Sequence, residues 1–244
     1  MSGLNAATLL AAWERALSQS PVQQALTLLS TAWPEKSVEQ WANLSIGERD
    51  GYLLRFRDEV FGSEFEATTL CPMCGERLHL TFASEAIRAQ VCAPSTNNAS
   101  LRMEGVDYEL DYRLPTSADL IEVAAGADSD GRELLLRRCV TARREGATVD
   151  PVLLPEQIVS AAIERMTQAD PQAEVRIVVA CPVCPHRWST IFDILSYLWS
   201  EIDDWAQRLL LEVHELASAY GWSEREIIAM SARRRHFYLG MVGA

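Results

Sequence analysis

One pattern occurs twice in this chain: EFEATTLCPMCGERLHLTFA (residues 64–83) and AEVRIVVACPVCPHRWSTIF (residues 173–192). In each segment a stretch rich in β-branched and apolar residues leads into a Cys-Pro-x-Cys turn, and a second such stretch leads out of it. This layout is typical of two strands joined by a tight turn. We therefore predict two β-hairpins with cysteines at their tips, and we call Cys71–Cys74 the first knuckle and Cys181–Cys184 the second knuckle.

The paired cysteines indicate a metal site. Zinc prefers four soft ligands in a tetrahedron, and a Cys-x-x-Cys turn places two thiolates on one side of the ion. Two turns with the same proline and the same strand context predict one structural Zn²⁺ per chain. Its ligands would be Cys71, Cys74, Cys181 and Cys184.

Two alternatives to structural zinc stay open. One is a redox pair, although a thioredoxin-like pair should open a helix in a βαβ unit and neither knuckle does so. The other is a site that has lost its metal. His79 and His186 lie near the knuckles, and we expect them to be strand residues rather than ligands.

Helical patterns fill both ends of the chain. Ser20 before Pro21, and Ser45 three residues before Glu48, are signals for helix starts. In the last third, apolar residues recur with the spacing 4-3-4-3-4-3-4, which predicts one helix over residues 193–220 with a buried seam. The seam consists of Leu195, Trp199, Ile202, Ala206, Leu209, Val213, Leu216 and Tyr220.

The stretch between the knuckles predicts an inserted α/β segment. Residues 100–115 indicate a hairpin with its turn at Glu104-Gly105, and Thr116 or Ser117 caps the helix that follows. Residues 132–144 predict a second short helix, 142–154 a surface loop, and 155–170 a further helix. The expected fold is α+β and mainly helical, with helices from both termini and a small zinc-ribbon-like antiparallel sheet. We expect three regions: residues 1–62, 63–192 and 193–244.

Composition limits the classes of function. The net charge is −12, which argues against nucleic-acid binding because that normally requires a basic face. Lys36 is the only lysine, so the basic residues are almost all arginines. No apolar run approaches the length needed to cross a bilayer. The N-terminal stretch lacks the basic region of a signal peptide, so we expect a cytoplasmic protein whose cysteines are thiols or metal ligands.

No catalytic constellation is recognisable in the sequence. It contains no phosphate-binding loop, dinucleotide fingerprint or nucleophile elbow. Four thiolates around zinc leave no open coordination position for a substrate, and Cys92 and Cys139 are expected to be free thiols. We therefore expect the protein not to be an enzyme.

Tryptophans and arginines mark a candidate docking surface in the last third of the chain. Tryptophan and arginine are enriched among residues that anchor protein–protein interfaces. The candidate partner-binding residues are Trp199, Trp205, Trp222, Arg233, Arg234 and Arg235.

Several segments resemble a known family. They are LSIGERDGYLLRFRDEVFG (44–62), CPMCG (71–75), YELDYRLPTSADL (108–120) and the stretch from CPVC (181) to VHELASAYGWSEREIIAMSARRRHFYL (213–239). Together they are similar to the baseplate proteins of T4-like phages, a family also found in phage-tail-like contractile injection systems and described as baseplate hub components or hub assembly chaperones. In the second knuckle Pro185 stands where the first has Gly75.

The resemblance implies a role in assembly. The protein would be a structural component or assembly factor of a contractile baseplate, bind other baseplate or tail hub proteins, and be cytoplasmic or incorporated in a tail-like particle. The alternative is a zinc-ribbon adaptor or regulator acting in transcription. Whether the protein stays in the finished particle, and its oligomeric state, are open at this point.

Overall fold

The computed structural model describes residues 4–89, 108–126 and 130–242, and the backbone of residues 98–102. The fold is α+β and mainly helical, which confirms the predicted class. The helices, in chain order, are α1 (Ala6–Ala16), α2 (Pro21–Ala32), α3 (Val38–Ala42), α4 (Ile46–Phe61), α5 (Ser117–Ala125), α6 (Gly131–Cys139), α7 (Glu156–Ala169), α8 (Ile194–Tyr220), α9 (Glu224–Ala229) and α10 (Ala232–Val242). Within the described residues no helix is long and apolar enough to span a membrane.

The strands of the described chain pair into small antiparallel sheets. They are β1 (Glu64–Leu70), β2 (Arg77–Ala83), β3 (Asn98–Arg102), β4 (Tyr108–Arg113), β5 (Val140–Arg144), β6 (Ala147–Val149), β7 (Arg176–Ala180) and β8 (Arg187–Ile191). The sheets are the hairpin β1-β2, the four-stranded sheet β3-β4-β5-β6 and the hairpin β7-β8. The knuckle strands therefore form two separate two-stranded sheets rather than one ribbon sheet.

The chain divides into two compact units. Residues 1–38 and 195–244 form the first, which we call the end unit, and residues 39–194 form the second, which we call the sheet unit. The division after residue 38 differs from the predicted boundary at residue 62. The reason is that α4 is tied to the segment after β2, because Ser84 and Arg88 both donate hydrogen bonds to Asp58, at 2.9 and 2.6 Å.

The end unit contains helices from both ends of the chain. Asn5 and Ser20 cap α1 and α2 with their side chains, as short polar residues do at helix starts. The α1 and α2 faces that carry Leu10 and Leu29 are buried. The indole N–H of Trp13 on α1 donates to Asp203 on α8 at 2.8 Å, which links the first helix to the C-terminal third.

The long helix α8 confirms the prediction of one continuous helix over this stretch. Most of its seam is buried, but in the first two turns Leu198 is 1% exposed whereas Trp199 is half-buried. At about 100° per residue, Leu198 lies about 20° from Leu209 around the helix axis and Trp199 about 80°. Towards the N-terminus of α8 the 4-3 seam therefore no longer coincides with the buried face, and Leu198 lies on that face instead of Trp199. Tyr220 is 37% exposed, and Gly221 ends the helix with a φ of 68°.

The four-stranded sheet corrects two sequence predictions. Residues 140–144 are strand β5 rather than the end of a helix, and residues 142–154 contain β6 rather than a surface loop alone. Residues 140–144 begin with the β-branched pair Val140 and Thr141, which favour strands, and they pair with β4. The sheet packs on α7 through a core formed by Leu110, Val140, Ala142, Leu154, Ile158, Val159 and Ala162. The predicted turn at Glu104-Gly105 lies outside the described residues.

A buried polar cluster fixes the start of α4. The Ser45–Glu48 capping box forms as predicted, and the N–H of Gly47 donates to the carboxylate of Asp170 at 2.9 Å. A β-carbon at residue 47 would lie 1.9 Å from an oxygen of Asp170, so this approach needs glycine. Nearby, burial raises the pKa of Asp50 to about 6 although Arg49 opposes the shift.

A second buried carboxylate organises the start of α5. Asp119 accepts hydrogen bonds from Arg113 at 2.6 and 2.8 Å, from Arg138 at 2.7 Å and from the N–H of Thr116 at 3.0 Å. Burial raises the pKa of this carboxyl, but the two guanidinium groups outweigh burial and hold its pKa well below its usual range. Asp119 is therefore ionised at neutral pH and joins β4, α5 and α6.

The buried seam of α8 leads to a first prediction. Leu209 is 2% exposed and Leu211, two residues away on the same helix, is 62% exposed. We expect Leu209→Asp to lower the free energy of unfolding by at least about 4 kcal/mol, because it buries an unpaired charge. Leu211→Asp is the matched control and should cost less than about 1 kcal/mol. Urea unfolding measures both, and equal losses would show that this seam is not core.

The Asp119 cluster leads to a second prediction. Asp119→Asn should cost about 1–3 kcal/mol, because it removes the charged acceptor of the hydrogen bonds from Arg113 and Arg138, whose side chains are 32% and 36% exposed and therefore partly screened by solvent. Asp150→Asn is the control: it breaks the exposed pair with Arg137 at 3.2 Å and should cost less than about 1 kcal/mol.

The same cluster predicts a pH dependence. Because the pKa of Asp119 is lower in the folded than in the unfolded protein, its stabilisation is complete above the ordinary aspartate pKa of 3.8 and is lost as the pH falls below it. Wild-type protein should therefore lose more stability than Asp119→Asn between about pH 4 and pH 2. Parallel stability curves for the two proteins over this range would contradict the assignment.

Candidate metal centre

The two knuckles are built alike. In the hairpin registers Leu70 pairs with Arg77 and Ala180 with Arg187, so both turns span the same number of residues. The N–H of Cys71 donates to the carbonyl of Glu76 at 2.8 Å, and the N–H of Cys181 donates to the carbonyl of His186 at 3.0 Å. The same backbone bond therefore closes each turn.

The knuckles differ at one position. Gly75 has a φ of 74° and donates its N–H to the carbonyl of Cys71 at 2.9 Å. Proline cannot adopt this φ and has no N–H, so Pro185 does not reproduce this part of the turn. The second knuckle nevertheless keeps both of its cysteines in the cluster.

The four sulfur atoms converge. The Sγ atoms of Cys71 and Cys184 lie 3.7 Å apart, those of Cys74 and Cys181 also 3.7 Å, and all four lie within 4.8 Å of one another. A disulfide would bring two sulfurs to about 2.05 Å. A tetrahedral ion with metal–sulfur bonds of about 2.3 Å spaces its ligand sulfurs about 3.8 Å apart. The cluster could therefore hold a metal ion with little rearrangement.

Backbone N–H groups point at the sulfurs. Burial raises the pKa of the Cys71 thiol, but hydrogen bonds from the N–H groups of Cys74 and Met73 outweigh it and bring the pKa down to about 7. The N–H of Glu76 lowers the pKa of Cys74, yet burial and the neighbouring sulfurs raise it to about 12. The N–H of His186 has the same position in the second knuckle and opposes an overall rise in the pKa of Cys184.

These pKa shifts indicate that full ionisation of the four thiols requires a bound cation. The Cys71 thiol ionises near neutral pH, whereas burial and hydrogen bonds with neighbouring sulfurs raise the pKa of Cys74 and of Cys184. A bound cation favours the thiolate form, and thiol ligands release their protons when it binds. The cluster could therefore hold a metal ion once its thiols lose their protons.

Two small contacts hold the hairpins together in the sheet unit. Near the cysteines, Leu78 of the first hairpin and Val179 of the second are buried in one apolar cluster, against which Trp188 packs. At the other end of the hairpins, the ring of Phe192 meets the rings of Phe65 and Phe82 edge-on, with centroids 5.6 and 5.7 Å apart. The hairpins thus have an apolar contact at each end and the sulfur cluster at their tips.

The histidines near the knuckles are not part of the cluster. Among the described residues, the group that could hold a metal contains the four cysteines alone. His79 is exposed and lies on β2 opposite Thr68, and His186 stacks on Trp188 with the centroids 5.6 Å apart. Cys139 is buried at the end of α6, and burial raises its pKa to about 11. Cys92 lies outside the described residues.

The structure places the candidate partner-binding residues in different settings. Trp199 and Trp205 are half-buried on α8. Trp222 is also half-buried and lies between the rings of Tyr220 and Tyr238, at 4.4 and 4.9 Å, so much of its surface serves the end unit itself.

The three arginines of α10 also differ in their exposure to solvent. Arg233 and Arg234 are exposed, as a docking surface requires. Arg235 is 5% exposed, and it donates to Glu212 at 2.6 Å and to the carbonyl of Met230 at 2.8 Å. Arg235 must therefore be removed from the predicted surface, because its guanidinium is used inside the unit.

Sequence analysis missed an exposed apolar pair beside these arginines. Phe237 is 68% exposed and Met241 is 47% exposed. They are four residues apart on α10, so they share one helix face. This spacing was visible in the sequence, but it resembles that of a buried helix face and only the structure shows which side packs.

Comparisons with known proteins identify no relatives. No protein-family model matches the chain, and no curated protein and no solved structure does either.

The sulfur cluster leads to a third prediction. Titration of reduced, metal-free protein with Co²⁺ should produce the visible absorption of a tetrahedral thiolate complex and saturate at one ion per chain. Cys181→Ser should abolish that spectrum and lower stability, since the binding free energy of a structural metal is folding free energy. Cys139→Ser, which removes a buried thiol outside the cluster, should leave the spectrum unchanged. A spectrum that survives Cys181→Ser would rule out the four-cysteine site.

Proposed function

We propose that this protein is a structural component or assembly factor of a contractile, phage-tail-like baseplate. It holds one structural zinc ion and acts by binding other baseplate or hub proteins. The observation that carries the structural part of the proposal is the convergence of four cysteines from two distant segments into one cluster.

Zinc is the ion that suits this cluster best. Tetrahedral coordination by four thiolates is typical of zinc and of iron–sulfur sites, and two Cys-x-x-Cys turns at hairpin tips are typical of structural zinc sites. Metal analysis of protein purified from its native host distinguishes zinc from iron. Iron as the main metal would overturn this part of the proposal.

A closed four-thiolate site favours a structural role over a catalytic one. A catalytic zinc keeps one coordination position open for water or substrate, and four protein ligands fill all the positions of a tetrahedral ion. The ion would cross-link residues 64–83 to residues 173–192 and so close the loop between them. A cross-link of this kind stabilises the folded chain chiefly by restricting the unfolded one.

The baseplate part of the proposal is supported by the resemblance of the quoted segments. Two of them, residues 44–62 and 108–120, lie in contact in the sheet unit: the N–H of Ile46 donates to the carbonyl of Pro115 at 3.1 Å, and Arg49 donates to Ser117 at 3.1 Å. The two segments that carry this part of the resemblance therefore meet in one buried junction and are not isolated stretches on the surface.

Deletion of the gene in its native host tests the function. We expect sheath and tube polymers without baseplates, or no tail-like particles, when lysates are viewed by electron microscopy. A copy of the wild-type gene should restore the particles, and a Leu211→Asp copy is the control for a harmless exposed change. Normal, contractile particles in the deletion strain would overturn the proposal. Detection of the protein in purified particles would distinguish a structural subunit from a chaperone that leaves.

A further inference from the structure

The last helix of the end unit, α10, has one packed face and one open face. On the packed face Tyr238 and Leu239 join the apolar cluster of Val213, Leu216 and Ile227, and Arg235 is buried against Glu212. The open face carries Arg233, Phe237 and Met241, which are spaced four residues apart and therefore lie in one row. We call this row, with the neighbouring Arg234, the α10 ridge.

The α10 ridge is basic in a strongly acidic chain. Residues 232–242 contain three arginines and no acidic residue, while the chain as a whole carries a net charge of −12. Glu212 neutralises Arg235. Among the described residues no carboxylate pairs with Arg233, and Arg234 lies over the ring of Tyr238, 5.6 Å from its centroid. Arg234 also donates to the Tyr238 hydroxyl at 3.4 Å, so among the described residues neither exposed guanidinium of the ridge is paired with a carboxylate.

The apolar residues of the ridge add binding energy that charge alone does not provide. Phe237 is 68% exposed, and removing such a large apolar side chain from water favours association. Single exposed apolar residues are common on proteins. Here Phe237 and Met241 lie beside two arginines without carboxylate partners, and aromatic residues, methionine and arginine are the types enriched in protein–protein interfaces.

We infer that the α10 ridge is a docking surface for an acidic protein surface that contains an apolar pocket. Carboxylates of the partner pair with Arg233 and Arg234, and the pocket receives Phe237 and Met241. A nucleic acid or an anionic membrane would satisfy the arginines, but the apolar pair that continues the row beyond Arg233 fits a protein pocket better. The inference rests on one part of the proposed function, namely that this protein acts by binding other proteins.

Site-specific photo-crosslinking in the native host tests the inference. The photoreactive residue p-benzoyl-phenylalanine replaces Phe237, whose ring it resembles, and Leu153, which is 76% exposed, is the control position. We expect the probe at Phe237, and not at Leu153, to form a covalent adduct with one protein that mass spectrometry identifies and whose surface is acidic. The absence of an adduct above the level at Leu153 would overturn the inference.

Charge reversal shows whether the adduct depends on the ridge. Arg233→Glu/Arg234→Glu should reduce the yield of the adduct about tenfold or more, because like charges then face each other. Arg165→Glu/Arg208→Glu is the matched control: both arginines are exposed, neither has an ion-pair partner among the described residues, and the change in net charge is the same. Urea unfolding should show all variants as stable as wild type. An adduct that survives reversal at Arg233 and Arg234 would contradict the docking geometry.

Two further measurements test whether the partner is a membrane or a nucleic acid instead of a protein. Purified full-length protein is sedimented with phosphatidylcholine vesicles that contain about a third phosphatidylglycerol, and the photo-adduct is treated with nuclease. Vesicle binding that is lost on Arg233→Glu/Arg234→Glu would assign the ridge to a membrane, and a nuclease-sensitive adduct would assign it to a nucleic acid. Either result would overturn the inference.

The outcome for the ridge is separate from the outcome for the baseplate. A ridge-dependent adduct in a host whose deletion strain makes normal particles would sustain the docking surface and reject the baseplate. Defective particles without an adduct at Phe237 would support the baseplate function and reject the docking surface.

Discussion

The convergence of four sulfur atoms from two distant segments is the constraint on which the contact between the two knuckle hairpins depends. All four Sγ atoms lie within 4.8 Å of one another, and burial together with the neighbouring sulfurs raises the pKa of Cys74 to about 12, so this thiol keeps its proton at neutral pH unless a cation binds. The two hairpins share only a small apolar cluster around Val179 and a trio of phenylalanine rings. A captured ion would therefore supply a large part of the energy that holds these hairpins together.

The start of α4 is a second fixed point in the same unit, and it is polar. Gly47 meets Asp170, and Arg49 joins Asp50 to Ser117, all from buried positions. Buried polar groups stabilise only one arrangement, because each group left without its partner is costly. The helix, the β4–α5 junction and the end of α7 are thus held in a single geometry at this point, whereas apolar packing tolerates small shifts.

Local signals in the sequence predicted much of this structure, and long-range contacts explain the rest. The helix caps at Ser20 and Ser45, and the paired knuckles, act within a few residues and were readable. Strand β5 was not, because residues 140–144 become a strand through pairing with β4, some thirty residues earlier in the chain. The burial of Arg235 was hidden for the same reason, since Glu212 lies on another helix. The convergence of the four cysteines was predicted because cysteine spacing carries long-range information that most side chains do not.

The distance between the knuckles in the chain has a consequence for the order of synthesis. Residues 75–180 leave the ribosome before Cys181 does, so the first knuckle spends that interval with only half of the cluster. The antiparallel pair β1-β2 joins neighbouring stretches, and β4, β5 and β6 all precede Cys181 in the chain, so these pairs can form while translation continues. Helices α1 and α2 likewise precede α8, whose Asp203 receives the Trp13 indole. The sheet unit is therefore completed when β7 and β8 emerge, whereas the end unit of a nascent protein stays incomplete until the C-terminal helices follow.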